Sequence, residues 1–157
     1  MQSGGLGRRA KADVFLTEAS PLAVAVAEQD RATLSMVQQA LAEGRLRLAY
    51  QPVVLAKDPG RVAYHEGLIR VLDPTGRAIP ARDFIDVVEV TEAGRLIDCA
   101  ALEMGLATLC AQPGLRIAVN MSARSIGYPR WMRILKRTLA AHPEIGDRLI
   151  LEITEQS

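Results

Sequence analysis

Aromatic residues are scarce, at 4% of the chain, so any core must be built from aliphatic side chains. Cysteine is scarcer still. Cys99 and Cys110 are separated by ten residues, with no histidine pattern around them. A zinc site needs tighter spacing and more ligands, so two buried, reduced thiols are the better reading, and they fit a cytoplasmic setting. Charge of one sign is also missing. A net charge of +1 leaves no electrostatic footprint for nucleic acid or an acidic membrane surface. The apolar run Leu22–Ala27 has six residues, whereas a bilayer-spanning helix needs about 20. Arg8, Arg9 and Lys11 precede that run as they would in a secretory leader, but Asp13, Glu18 and Pro21 interrupt the pattern. Met1 to Gly7 reads as disordered. Internal repeats and low-complexity tracts are absent.

What is present is an ordinary globular composition, 49% hydrophobic and 24% charged over 157 residues, enough for one domain with a real core. Residues 1–29 read as an extension or linker and 30–157 as the domain. Asp30 can cap a helix running to Glu43, with Leu34, Val37 and Leu41 on one face and Gly44 as its stop. Leu46 to Val54 alternates at strand period, and Pro52 suits an edge or a bulge. A turn at Lys57–Gly60 leads to a strand over Val62–Leu72, then a turn at Asp73–Gly76. Pro80 is placed to start a helix that turns Phe84, Ile85 and Val88 inward. Thr91 opens the next helix, which runs to about Cys110 with Leu96, Ile97, Ala100, Met104 and Ala107 on its apolar face. Strand Leu115–Ser122, helix Pro129–Ala141 and strand Arg148–Ile153 follow. Strand, helix, strand, helix, strand, with the last two strands apolar on nearly every residue, predicts parallel strands buried on both faces.

Strand parity then sorts the polar residues. Glu66, Leu68 and Arg70 share one face, and His65, Gly67 and Ile69 the other. Asn120 lies opposite Val119 and Met121. Arg148, Ile150 and Glu152 lie opposite Leu149, Leu151 and Ile153. If the apolar faces receive helices, Glu66, Asn120 and Glu152 point into a barrel interior. Two carboxylates and an amide form an oxygen-only set that suits Mg²⁺ or Mn²⁺. Each residue also has a plainer role. A glutamate within a strand is more often an ion-pair partner, Asn120 could serve a turn, Arg70 could pair with Asp73 or with a carboxylate on another strand, and Gln51 could be solvated at a strand end. His65 reads as packing or surface. Arg130, Arg133, Lys136 and Arg137 read as the solvated face of one helix.

Four segments in order, Tyr50-Gln51-Pro52, Glu66-Gly67-Leu68-Ile69-Arg70, Val119-Asn120-Met121-Ser122 and Leu151-Glu152-Ile153-Thr154-Glu155, resemble the EAL family, the bacterial phosphodiesterases that hydrolyse cyclic di-GMP. Gly67 stands where the family's name motif has Ala. The resemblance implies an α/β fold, a modified (β/α)8 TIM-like barrel whose first strand is antiparallel to the rest. Such barrels need about 250 residues. This chain would supply the first half, about four strands and four or five helices.

The resemblance also implies in-line attack of water on one phosphorus, assisted by two divalent ions (Mg²⁺ or Mn²⁺) and giving linear pGpG. It assigns Glu66, Asn120 and Glu152 to metal, Gln51, Leu68 and Arg70 to substrate, and Glu155 to support of a later active-site loop. The family's remaining motifs, an Asp pair, a Lys, a Glu and a Gln, do not occur after Glu155, so the chain is expected to be inactive alone. The alternative is a non-catalytic EAL-like module for cyclic di-GMP binding or dimerisation. Either way the expected partners are cyclic di-GMP and a second copy docked on the open barrel side, with no nucleic acid and no membrane.

Overall fold

The computed structural model describes residues 20–154; the basic cluster near the amino end and Glu155 lie outside them. Helix α1 spans Pro21–Ala42. It begins well before Asp30 because Ser20 caps it, accepting from Ala23 N at 3.2 Å, and Pro21 occupies the first turn. Gly44, at φ 66°, ends it in a conformation that glycine adopts without strain.

Strands β1 (Leu46–Leu55) and β2 (Asp58–Leu72) form a long antiparallel hairpin. The expected turn at Lys57–Gly60 tightens to Ala56–Lys57, because the Leu55–Asp58 rung closes the hairpin and carries Pro59 and Gly60 into the strand. The register shifts between Val53 and Leu55, just beyond Pro52, on an edge strand that tolerates both proline and bulge. Pro80 does not start a helix. It ends the short strand β3 (Ala78–Pro80), which pairs with β2 opposite Arg70. Its extended backbone, φ −70° and ψ 154°, suits an edge position where no N–H is needed. A 3₁₀ turn leads into α2 (Ile85–Val88).

Helix α3 (Glu92–Ala111) is capped by Thr91 and crosses to β4 (Ile117–Ser122). Helix α4 (Pro129–Ala141) then leads to β5 (Leu149–Thr154). β4 lies parallel to both β2 and β5, and the sheet order is β1-β2-β4-β5 with β3 beside β2. This is the expected α/β architecture, with the first strand antiparallel. The core is aliphatic, built on Val37, Val71, Leu102, Leu106, Leu109, Ile117 and Val119, with Phe84 and Trp131 its aromatic members among the described residues.

Three expectations need correction. Helix α3 buries Cys99, Ala101, Leu102, Leu106 and Leu109, while Ala107 is exposed, because it packs against the sheet, α1 and α4 rather than along one stripe. Cys99 is buried and Cys110 is exposed, both free, so the pair is not uniformly internal. Burial pushes the Cys99 thiol up to about 11, which makes it a packing residue rather than a nucleophile. Arg148 lies before β5, and its guanidinium donates to the carbonyls of Leu109, Gln112 and Leu115 at 3.0–3.1 Å. It closes the open carbonyls at the end of α3. Among the described residues no helix is long and apolar enough to cross a membrane.

Candidate metal and phosphate site

Parallel pairing sets Glu66 beside Ala118, Ala118 beside Ile150, and Asn120 beside Glu152. Partners in register share a face, so Glu66, Asn120 and Glu152 emerge on the same side of the sheet. The opposite side carries α3. There a Cβ on Gly105 would come within 2.7 Å of Val119 Cγ2, and one on Gly67 within 2.9 Å of Leu48 Cδ2. Gly67 therefore points away from the site, as parity requires.

Asn120 Nδ2 donates to Glu66 Oε1 at 2.8 Å, and its amide oxygen has no hydrogen-bond partner among the described residues. The Tyr64 phenol donates to Glu152 Oε1 at 3.4 Å, a long contact. Tyr64 is two residues before Glu66 on the same face, and the fully buried methyl of Ala118 lies between β2 and β5. Desolvation raises the Tyr64 pKa, helped by the charge of Glu152, its hydrogen bond, and the charge of Glu66. Both glutamates are half-buried, and among the described residues neither has a basic partner within 4.0 Å. The plainer role of ion-pair partner is thus not realised within this part of the chain.

Two carboxylates, each held by one neutral donor, with an amide oxygen between them, fit a hard cation that keeps several of its waters, as Mg²⁺ does. The set is sparse, since no group of three or more His, Cys, Asp or Glu able to hold a metal occurs among the described residues.

Gln51 pairs with Glu66 across β1 and β2 and is exposed on the same face. Leu68 and Arg70 continue that face along β2, both half-buried. Arg70 does not pair with Asp73. The Asp73 carboxylate accepts from Thr75 N at 2.8 Å, Thr75 Oγ1 at 2.7 Å and Arg77 N at 3.0 Å. The Thr75 hydroxyl leads in holding its pKa below the usual carboxylate range.

Sequence reasoning missed the group that anchors the end of β4. Asp98 Oδ2 accepts from Ser122 N at 3.0 Å and Ser125 Oγ at 2.5 Å, and Ser122 Oγ donates to Glu89 Oε1 at 3.0 Å. Both acids are buried. Desolvation raises the Asp98 pKa, against the two hydrogen bonds and with a further push from Glu89. The network fixes the strand two residues beyond Asn120. A cavity of about 250 Å³ lies beside it, touching Leu68, Asn120 and Asp98, where β2 and β4 part after Gly67 and Val119. The serine of the Val-Asn-Met-Ser segment was the available signal. Tyr64 could have been found by extending the parity of Glu66 two residues upstream.

The chain belongs to the EAL domain family, which it matches over residues 34–157. It is 34% identical over 122 residues to an uncharacterized signaling protein of Caulobacter vibrioides, covering 77% of this chain and 15% of that protein. Its fold resembles the Xanthomonas citri FimX EAL domain in complex with c-diGMP (TM-score 0.68, 20% identity, 84% of this chain and 52% of that one). It also resembles the Pseudomonas aeruginosa FimX EAL domain bound to c-di-GMP (TM-score 0.65, 24% identity, 77% and 49%). The chain thus spans about half of each solved domain.

Proposed function

We propose that this chain contributes the amino-terminal part of a cyclic di-GMP phosphodiesterase site that yields pGpG and works in the cytoplasm. The observation that carries the proposal is that Glu66, Asn120 and Glu152 share one face, with Asn120 bonded to Glu66 and in register with Glu152, and that the two carboxylates have no basic partner among the described residues. Glu66, Asn120 and Glu152 would hold divalent cation, Mg²⁺ or Mn²⁺. Bound cations supply positive charge to the phosphodiester and acidify a water for in-line attack. Asn120 orients Glu66 through its amide N–H, Tyr64 orients Glu152, and the forked donors of Arg70 suit a phosphate. Gln51 and Leu68 line the same face and contact substrate in this reading. The resemblance gives Glu155 a loop-supporting role.

A second reading is cyclic di-GMP binding without turnover, for which the described residues supply two carboxylates and one amide, enough for one cation but not for a pair. The test is incubation of cyclic di-GMP and Mn²⁺ with this chain alone and with any longer protein in which it occurs, followed by chromatography. Formation of pGpG by the longer protein, lost in Glu66→Gln, supports the phosphodiesterase. Saturable binding without product selects the binding module. Neither binding nor turnover contradicts both.

A further inference from the structure

Arg47 and Arg70 stand directly opposite each other in the antiparallel β1–β2 pair. Both belong to the face that carries Gln51 and Glu66. Like charges placed directly opposite on a sheet repel and destabilise it, so this pairing needs a reason. None lies among the described residues around it. Among the described residues neither guanidinium has a carboxylate within 4.0 Å. Arg47 Nη1 donates to its neighbour's carbonyl, Leu46 O, at 2.6 Å, and Arg70 Nη1 to Ile69 O at 3.0 Å. Each guanidinium has five N–H donors, so most of the fork on both is left for something else. Asp73, the acid nearest to Arg70 in sequence, is already satisfied by Thr75 and Arg77. The β3 residue beside Arg70 is Pro80, which offers no charge.

We infer that Arg47 joins the phosphate contact already proposed for Arg70, the two guanidiniums forming one anion subsite for a phosphodiester, and that Arg47 is a binding residue no motif of the sequence marks. The inference rests on the cyclic di-GMP reading and adds to it. A cyclic dinucleotide carries two phosphodiesters. The carboxylate end, with Glu66 and Glu152, accepts a phosphate only alongside cation. The arginine end lies four residues along β2, roughly 13 Å away, and accepts a phosphate directly. Opposite charge thus separates along one strand, giving the two phosphodiesters of one ligand different receptors.

The test compares thermal midpoints and cyclic di-GMP affinity for the full chain and three variants, Arg47→Gln, Arg70→Gln and Arg47→Lys, at low salt. Arg133→Gln, on the exposed side of α4, serves as control. Without ligand, Arg47→Gln should raise the midpoint by about 1–4 °C by removing repulsion. It should also weaken cyclic di-GMP binding by about 10–100-fold, as Arg70→Gln does. Arg47→Lys keeps the charge but loses the fork, so its affinity should fall between those of wild type and Arg47→Gln. An arginine that is merely solvated would show neither the gain in stability nor the loss in affinity. Wild-type affinity in Arg47→Gln, with loss in Arg70→Gln, overturns the Arg47 assignment alone. No binding by the unmutated chain overturns the cyclic di-GMP reading and the subsite with it.

Discussion

The side-chain amide of Asn120 donates to Glu66 Oε1 across two parallel strands, at 2.8 Å and 54 residues apart in sequence. That bond turns one Glu66 oxygen toward β4 and leaves the other available. Groups that orient a metal's carboxylates commonly change its affinity by about 10–100-fold. Asn120→Ala should therefore weaken Mn²⁺ binding by at least that range, since it removes both the donor to Glu66 and an oxygen ligand. Calorimetric titration of the purified chain measures it, and unchanged affinity would remove Asn120 from the site.

The phenol of Tyr64 is the sole hydrogen-bond donor to Glu152 among the described residues. Tyr64→Phe keeps the ring and deletes the donor, so Mn²⁺ affinity should drop by roughly 3–10-fold with little change in thermal midpoint. Equal losses in stability and affinity would instead mark Tyr64 as a packing residue.

Close approach of α3 to the sheet predicts a contrast between two glycines. A methyl on Gly105 meets the stiff, branched Val119 at 2.7 Å, whereas one on Gly67 meets the far end of Leu48 at 2.9 Å and the Ala118 carbonyl at 3.2 Å. Gly105→Ala should cost about 1–3 kcal/mol despite the better helix propensity of alanine. Gly67→Ala, which restores the family motif, should cost less than about 1 kcal/mol because Leu48 can rotate. Urea unfolding of the two variants gives the comparison.

Asp98 provides a pH prediction. Its folded pKa is raised, chiefly by desolvation, so the folded state favours the protonated acid. The stability this provides is fully present below the unfolded pKa of about 3.9. It is lost as pH rises through the folded value. Asp98→Asn keeps an oxygen for Ser122 N and Ser125 Oγ but cannot ionise. The stability of wild type minus that of Asp98→Asn should therefore fall as pH rises from about 4, then level off above the folded pKa. Unfolding free energies across that range test it, and a difference that grows with pH would contradict the sign.

Among the described residues β5 is the last strand of the sheet, and its residues Leu151 and Ile153 are 37% and 53% exposed. An open apolar edge templates pairing with another chain. The isolated chain of 17.0 kDa should sediment as a dimer or larger, and Ile153→Lys should shift it toward monomer. A monomer at all concentrations would rule out pairing through this edge.

Much of this was legible in the sequence because strands have period two. Parity alone put Glu66, Asn120 and Glu152 on one face, since each sits in a run whose alternate residues are apolar. Where parity stops, so did foresight. Arg148 belongs to the turn before β5, and its long side chain answers the carbonyls of α3 rather than the strand's alternation. Pro80 fits the first turn of a helix and the end of an edge strand equally well, and tertiary pairing with β2 decided between them. The Arg47–Arg70 opposition depends on hairpin register, which Pro52 and the shift after Val53 made unreadable.

The central claim is that Glu66, Asn120 and Glu152 form a cation site, and Mn²⁺ titration followed by electron paramagnetic resonance tests it most directly. The chain should bind Mn²⁺, and Glu66→Gln and Glu152→Gln should each weaken binding by about tenfold or more. Arg133→Gln should leave it unchanged. Equal Mn²⁺ binding by wild type and both glutamine variants would contradict the claim.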